Sequence, residues 1–170
     1  MRTPAEKEYA YSTMEVKAME EGGKRLFTGI ATTPSADRVG DIVLPEGAKF
    51  TLPIPLCWMH DSHDPVGWVT QAKVSKSGIE IVGEVANLPE PESLKDRLDR
   101  AWAMLKGRLV RGLSIGFKPL KSSRIGDTYS YEFSEWLWLE LSPVVIAANG
   151  DCSITSRSFY LIVSRQSNVI

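Results

Sequence analysis

One stretch of the chain, "PESLKDRLDRAWAMLK" from Pro91 to Lys106, spaces its apolar residues at the period of a helix. Leu94, Leu98, Ala101, Trp102 and Leu105 recur every three or four positions, which sets them on one face. Glu90 and Glu92 at its start, Lys106 at its end and Gly107 just after it agree with the helix dipole and with a C-terminal stop. Elsewhere the pattern is that of strands, and one helix among many strands fits α+β better than a doubly wound α/β fold. The fold class expected is α+β: a mostly antiparallel β-barrel, closed or nearly so, of about seven or eight strands with the helix at 91–106 packed on it.

The strands follow from alternation and punctuation. "EYAYSTMEVKAM" alternates loosely, and "RLFTGIATT" follows the turn signal Glu21-Gly22-Gly23. "TPSADRVGDIVLPEGAKF" reads as a long loop with a helical turn near Pro45 to Phe50. "IPLCWMH" reads as a buried strand ending at His60, and "GWVTQAKVS" with "GIEIVGEVA" as a hairpin about Lys76-Ser77-Gly78. After the helix, "VRGLSIGFKPL", "DTYSYEF" and "EWLWLELSPVVIAA" return to strand, and Asn149-Gly150-Asp151 marks a turn. At 170 residues a single domain is expected, with its core at about 8–150 and residues 151–170 as a tail or an added strand.

Charge narrows the partners. A formal net charge of -1 offers no general grip on phosphate, so nucleic acid is not expected. No apolar run approaches the roughly 20 residues that span a bilayer, and "MRTPAEKEYAYSTMEV" lacks a signal peptide's apolar stretch, so no membrane partner is expected. Cys57 and Cys152 have no metal-type spacing and form no disulfide framework; Cys57, inside an apolar run, reads as a small buried hydrophobe. A reducing cytoplasm is the compartment these features fit.

Three segments each set one odd polar residue among apolar neighbours: His60, Ser114 and Glu140. The two histidines of the chain, His60 and His63, share "MHDSHDP" with Asp61 and Asp64. They could be half of a metal site, one base beside a bystander, or two polar residues in a turn. A three-histidine zinc site lacks its third ligand, although a carboxylate-rich site stays open. Ser114 in "RGLSIGFKP" lies between Gly112 and Gly116, where backbone approaches closely; it could be a nucleophile or a hydroxyl satisfied by a barrel neighbour. Glu140 in "WLWLELSPVV" could be a half-exposed surface residue, or a buried carboxylate whose cost demands a partner such as an imidazole. Simple alternation puts Trp136, Trp138 and Glu140 on one side and Leu137, Leu139 and Leu141 on the other.

Four blocks in order, "GIATTPSADRVGDIVLPEGA", "PLCWMHD…PVGWV", "RGLSIGF" and "WLWLELSPVVIAAN", resemble the successive blocks of the tailed-phage prohead maturation proteases. The resemblance runs from about Arg25 to Asn149. It implies a fold similar to that of the herpesvirus assembly proteases. Carried over residue by residue, it puts the nucleophile at Ser114, the base at His60 and the third member of the triad at Glu140. In the herpesvirus relatives a second histidine fills that third place; here His63 is too near His60 in sequence to orient its far nitrogen.

The resemblance implies a serine endopeptidase of the assembling procapsid in the host cytoplasm. Its substrates would be the scaffold segment of the major capsid protein, or a scaffold protein, and itself, with self-association or self-cleavage expected. No metal or organic cofactor is implied. A catalytically inactive assembly or scaffold-binding barrel, and a metal-dependent hydrolase using His60 and His63, are the alternatives. Arg111 and Asp41 are the candidates for polar support near the site, and the oxyanion donors would be backbone N–H groups near Ser114 or on a neighbouring loop.

Overall fold

A computed structural model of the chain describes residues 8–13, 19–21 and 23–145. The turn expected at 149–151 and the tail expected at 151–170 lie outside the described residues. Among those residues are ten strands and one α-helix: β1 (Glu8–Thr13), β2 (Met19–Glu21), β3 (Lys24–Thr32), β4 (Ile42–Val43), β5 (Ala48–Lys49), β6 (Ile54–Cys57), β7 (Pro65–Ser75), β8 (Gly78–Val85), α1 (Glu92–Lys106), β9 (Gly112–Arg124) and β10 (Tyr131–Val144). Among the described residues, no helix is long and apolar enough to cross a membrane.

All ten strands belong to one sheet in the order β1-β9-β10-β6-β7-β8-β3-β2, with β4 and β5 also paired to β10. The sheet curls into a half-barrel that brings β3 towards β1 and β9. Most pairings are antiparallel, as expected; β10 pairs in parallel with β4, β5 and β6. The expected hairpin is β7–β8, with Gly78 already paired to Ser75 as the first residue of β8.

Several element boundaries differ from the sequence expectation. "EYAYSTMEVKAM" begins with β1 and ends at Met19, the first residue of β2. "DTYSYEF" and "EWLWLELSPVVIAA" contribute to one strand, β10, because bulges carry its ladder with β9 through the break in alternation. The loop before β6 holds the expected turn at Pro45–Gly47 and two short strands, β4 and β5, whose pairing with β10 a lone sequence does not show.

The core lies where α1 and the concave sheet face each other. Leu98, Ala101, Trp102 and Leu105 are buried on α1, while Leu94 at its first turn is half exposed. Gly107 caps the helix in a right-handed conformation, its N–H donating to the Ala103 carbonyl at 2.8 Å. Arg108, with φ 57°, makes the left-handed step that glycine was expected to make. Aromatic rings fill the β9–β10 side: Phe117 meets Phe133 and Trp136 edge-on at centroid distances of 5.2 and 5.5 Å. The Trp136 indole donates to the Leu44 carbonyl at 2.8 Å, so its polar tip is satisfied inside the core. Phe27 lies over Gly83, its ladder partner, where a Cβ would sit 2.3 Å from the ring.

Candidate active site

The "PLCWMHD" segment does not run as strand to His60. β6 ends at Cys57, and Trp58–His60 form a single tight turn in which Met59 (φ 51°) and His60 (φ 65°) are both left-handed. For residues with a side chain this conformation costs roughly 1–2 kcal/mol each. The surroundings impose it. The Trp58 N–H donates to the Asp64 carbonyl at 2.9 Å, Asp61 to Trp58 at 3.0 Å and Asp64 to Asp61 at 3.1 Å, closing the loop on itself. From α1, the Arg97 guanidinium donates through Nε to the Asp64 carboxylate at 3.2 Å and lies 5.0 Å from the centre of the Trp58 ring. The helix thus clamps both ends of the histidine loop.

Ser114 and Glu140 come from neighbouring strands, β9 and β10. From Trp136 to Trp138 the ladder is regular, and Trp138 pairs with Phe117, a core residue, so both face the core. A bulge then intervenes and Glu140 pairs with Gly116 rather than with Ile115. Leu139 is the extra residue. Because β9 alternates, Gly116 and Ser114 face the side opposite Phe117, and the bulge turns Glu140 and Ser142 to that same side. The expectation that Glu140 shares a side with Trp136 and Trp138 is therefore corrected. Leu141 joins the core instead, fully buried against Ile115, while Leu137 and Leu139 stay partly exposed. Gly116, opposite Glu140, carries no side chain to contest its place.

The re-aimed carboxylate meets the histidine loop. His60 Nδ1 lies 2.9 Å from Glu140 Oε1. The Ser142 hydroxyl donates to Glu140 Oε2 at 2.6 Å, and it accepts from the His60 backbone N–H at 3.1 Å. Glu140 is only 3% exposed, so its charge is held by these donors rather than by water. With Nδ1–H turned to a carboxylate, the imidazole presents Nε2, which is also buried, as its basic nitrogen. Ser114 is fully buried, stands directly opposite Ser142 in the ladder, and its hydroxyl makes no hydrogen bond among the described residues.

The two histidines have separate carboxylates. The His63 ring is almost fully exposed and lies 3.2 Å from Asp61. The His63 N–H, with its ring, holds the Asp61 carboxyl below the ordinary carboxylate value. Among the described residues, no cluster of three or more His, Cys, Asp or Glu has the geometry to hold a metal ion.

Asp41 is placed away from the site. It is buried and accepts from the Tyr131 N–H at 2.8 Å, at the end of β10 remote from Glu140. Arg111 is exposed ahead of β9. Cys57 is buried, as expected for a small hydrophobe. Sequence reasoning missed Ser142 and Arg97. A serine two positions beyond an odd carboxylate, on the same face of an apolar strand, was the available signal for Ser142. Arg97 gives none, being one charged residue on the polar side of an amphipathic helix.

The sequence profile of the caudovirus prohead serine protease family matches residues 12–164. A capsid polyprotein of Pseudomonas phage PAJU2 is 51% identical over 147 residues, which cover 86% of this chain and 22% of that protein. The chain thus spans about a fifth of the length of the curated relative it matches. No solved structure matches the chain.

Proposed function

This chain belongs to the caudovirus prohead serine protease family, and from that premise we propose that it is the peptidase that processes capsid components inside an assembling procapsid. The observation that carries the reading is the buried His60–Glu140 pair, tied through Ser142 to the strand pair in which Ser114 is the ladder partner of Ser142. A relative described as a capsid polyprotein supports capsid protein as the substrate class. The scaffold segment of the major capsid protein, or a separate scaffold, is cut, and the protease cuts itself. The work is done in the cytoplasm of the bacterial host, within the procapsid, by a single protease domain.

In the mechanism we propose, Ser114 Oγ attacks a peptide carbonyl while His60 Nε2 takes its proton. The imidazolium then gives that proton to the leaving amine, leaving an acyl-enzyme, and His60 activates the water that hydrolyses it. Glu140 stays ionised, holds the ring through Nδ1 and offsets the cation. Because β9 is paired with β1 on one side and β10 on the other, its own N–H groups are engaged in ladders, which favours a neighbouring loop as the source of the oxyanion donors. The curled, mainly antiparallel sheet with one helix supports a fold similar to the herpesvirus assembly proteases.

The test is co-expression of the wild-type chain or the Ser114→Ala variant with the phage's capsid protein, reading product masses. Cleavage by the wild type and none by the variant is expected; equal processing by both ends the reading.

A further inference from the structure

The Ser142 hydroxyl occupies a junction that a structural serine does not need. It touches both residues that must be aligned for base catalysis, and it does so with opposite polarity. The His60 backbone N–H can only donate, so it takes a lone pair on Ser142 Oγ at 3.1 Å. A hydroxyl has one proton, and with the lone pair engaged that proton goes to Glu140 Oε2 at 2.6 Å. The second carboxylate oxygen, Oε1, is thereby left to the imidazole, 2.9 Å from Nδ1. One side chain therefore fixes the carboxylate's rotation and the backbone of the residue it must meet.

The placement is equally specific. Ser142 is fully buried and is the ladder partner of Ser114, so the same pair of strands sets its distance to the nucleophile. His60 is left-handed and its turn is strained; the Ser142 acceptor satisfies the N–H that this turn directs into the site.

We propose that Ser142 is a positioning residue of this active site, locking Glu140 and the His60 backbone in the arrangement that orients the imidazole towards Ser114. The proposal rests on the reading of His60, Ser114 and Glu140 as a triad. The loss expected on removing a hydrogen bond to a charged group is roughly 10- to 100-fold in rate.

The experiment measures the second-order rate of fluorophosphonate labelling at Ser114, located by mass spectrometry, in the wild type and in Ser142→Ala, Ser142→Cys and Ser114→Ala. The cysteine variant keeps the shape of serine but is a weak donor and acceptor, so packing and hydrogen bonding are separated. Both Ser142 variants are expected to label roughly 10- to 100-fold more slowly. The downfield proton resonance of His60 Nδ1–H is expected to move or broaden in both. Should the alanine variant fail to fold, the cysteine variant alone decides. Labelling of Ser142→Cys within twofold of wild type, with the resonance unmoved, overturns the proposal. Wild-type protein that is not labelled at Ser114 removes the triad reading and this proposal together, an outcome visible before any Ser142 variant is made.

Discussion

Glu140 and His60 stand 80 positions apart in sequence and meet at 2.9 Å, a buried carboxylate oxygen against an imidazole nitrogen. A carboxylate in an apolar strand is costly unless paired, and here each of its oxygens has a donor. The pairing exists because a bulge in β10 turns Glu140 away from the tryptophans that precede it.

The inequality of the two histidines is directly measurable. His60→Ala is expected to abolish labelling at Ser114, with a loss of about 10⁴-fold or more in cleavage rate. His63→Ala, which removes an exposed ring that meets Asp61 within its own turn, is expected to stay within about threefold of wild type, as for surface substitutions. Equal loss in both would reopen a metal role for the pair, and metal analysis of untagged protein would then decide it.

Glu140→Gln keeps the shape of the side chain and removes the charge. The amide can still accept from Nδ1–H, but it no longer offsets an imidazolium, and its NH₂ competes to face the ring and favour the wrong tautomer. A fall in cleavage rate of about 10⁴-fold is expected, with the folded state retained. A variant that cleaves at more than a tenth of the wild-type rate would rule out Glu140 as the third member.

Arg97→Ala releases the histidine loop from α1 without touching the reacting groups. Loss of a half-buried ion pair and its ring contact is expected to slow labelling about 3- to 10-fold and to change Trp58 fluorescence. Arg97→Lys is expected to recover little, because an ammonium neither forks onto Asp64 nor stacks on Trp58 in the same way. Unchanged kinetics in Arg97→Ala would show that the loop holds its shape alone.

A pH dependence follows from Asp99, which joins α1 to β3. The Lys95 ammonium first, then the Arg25 guanidinium, holds its carboxyl below the ordinary value. A group depressed on folding stabilises the protein above its unfolded value, about 3.9 for aspartate, and that contribution disappears as the pH falls through the lower folded value. Asp99→Asn is therefore expected to melt slightly below wild type at pH 7, and the two melting curves to converge in acid below about pH 4. The difference is expected to shrink in high salt, since the pair is near the surface. Curves that stay parallel through acid would refute the assignment.

Much of this arrangement is legible from residue types. The helix is announced by Leu98, Ala101, Trp102 and Leu105, all buried as the period requires. His60, Ser114 and Glu140 are conspicuous because polar groups in apolar strands need partners. The side on which Glu140 lies is not legible. Alternation assumes an unbroken ladder, and the extra residue at Leu139 is a property of how β10 pairs with β9. The left-handed turn at Met59 and His60 is hidden for a related reason: neither is glycine, and contacts distant in sequence hold them there. Arg97 becomes visible only once those contacts exist.

The parallel contact of β6 with β10 joins Leu56 to Leu141, and with it the histidine loop to the strand that carries Glu140 and Ser142. Contacts so distant in sequence form only after a large loop has closed. A nascent chain that has left the ribosome only as far as β9 holds Ser114 and His60, yet has neither the carboxylate nor the hydroxyl that orients the ring. On the proposed triad, translation acts as a timer: the ability to cut arrives only with β10, after β1 to β9 have been made.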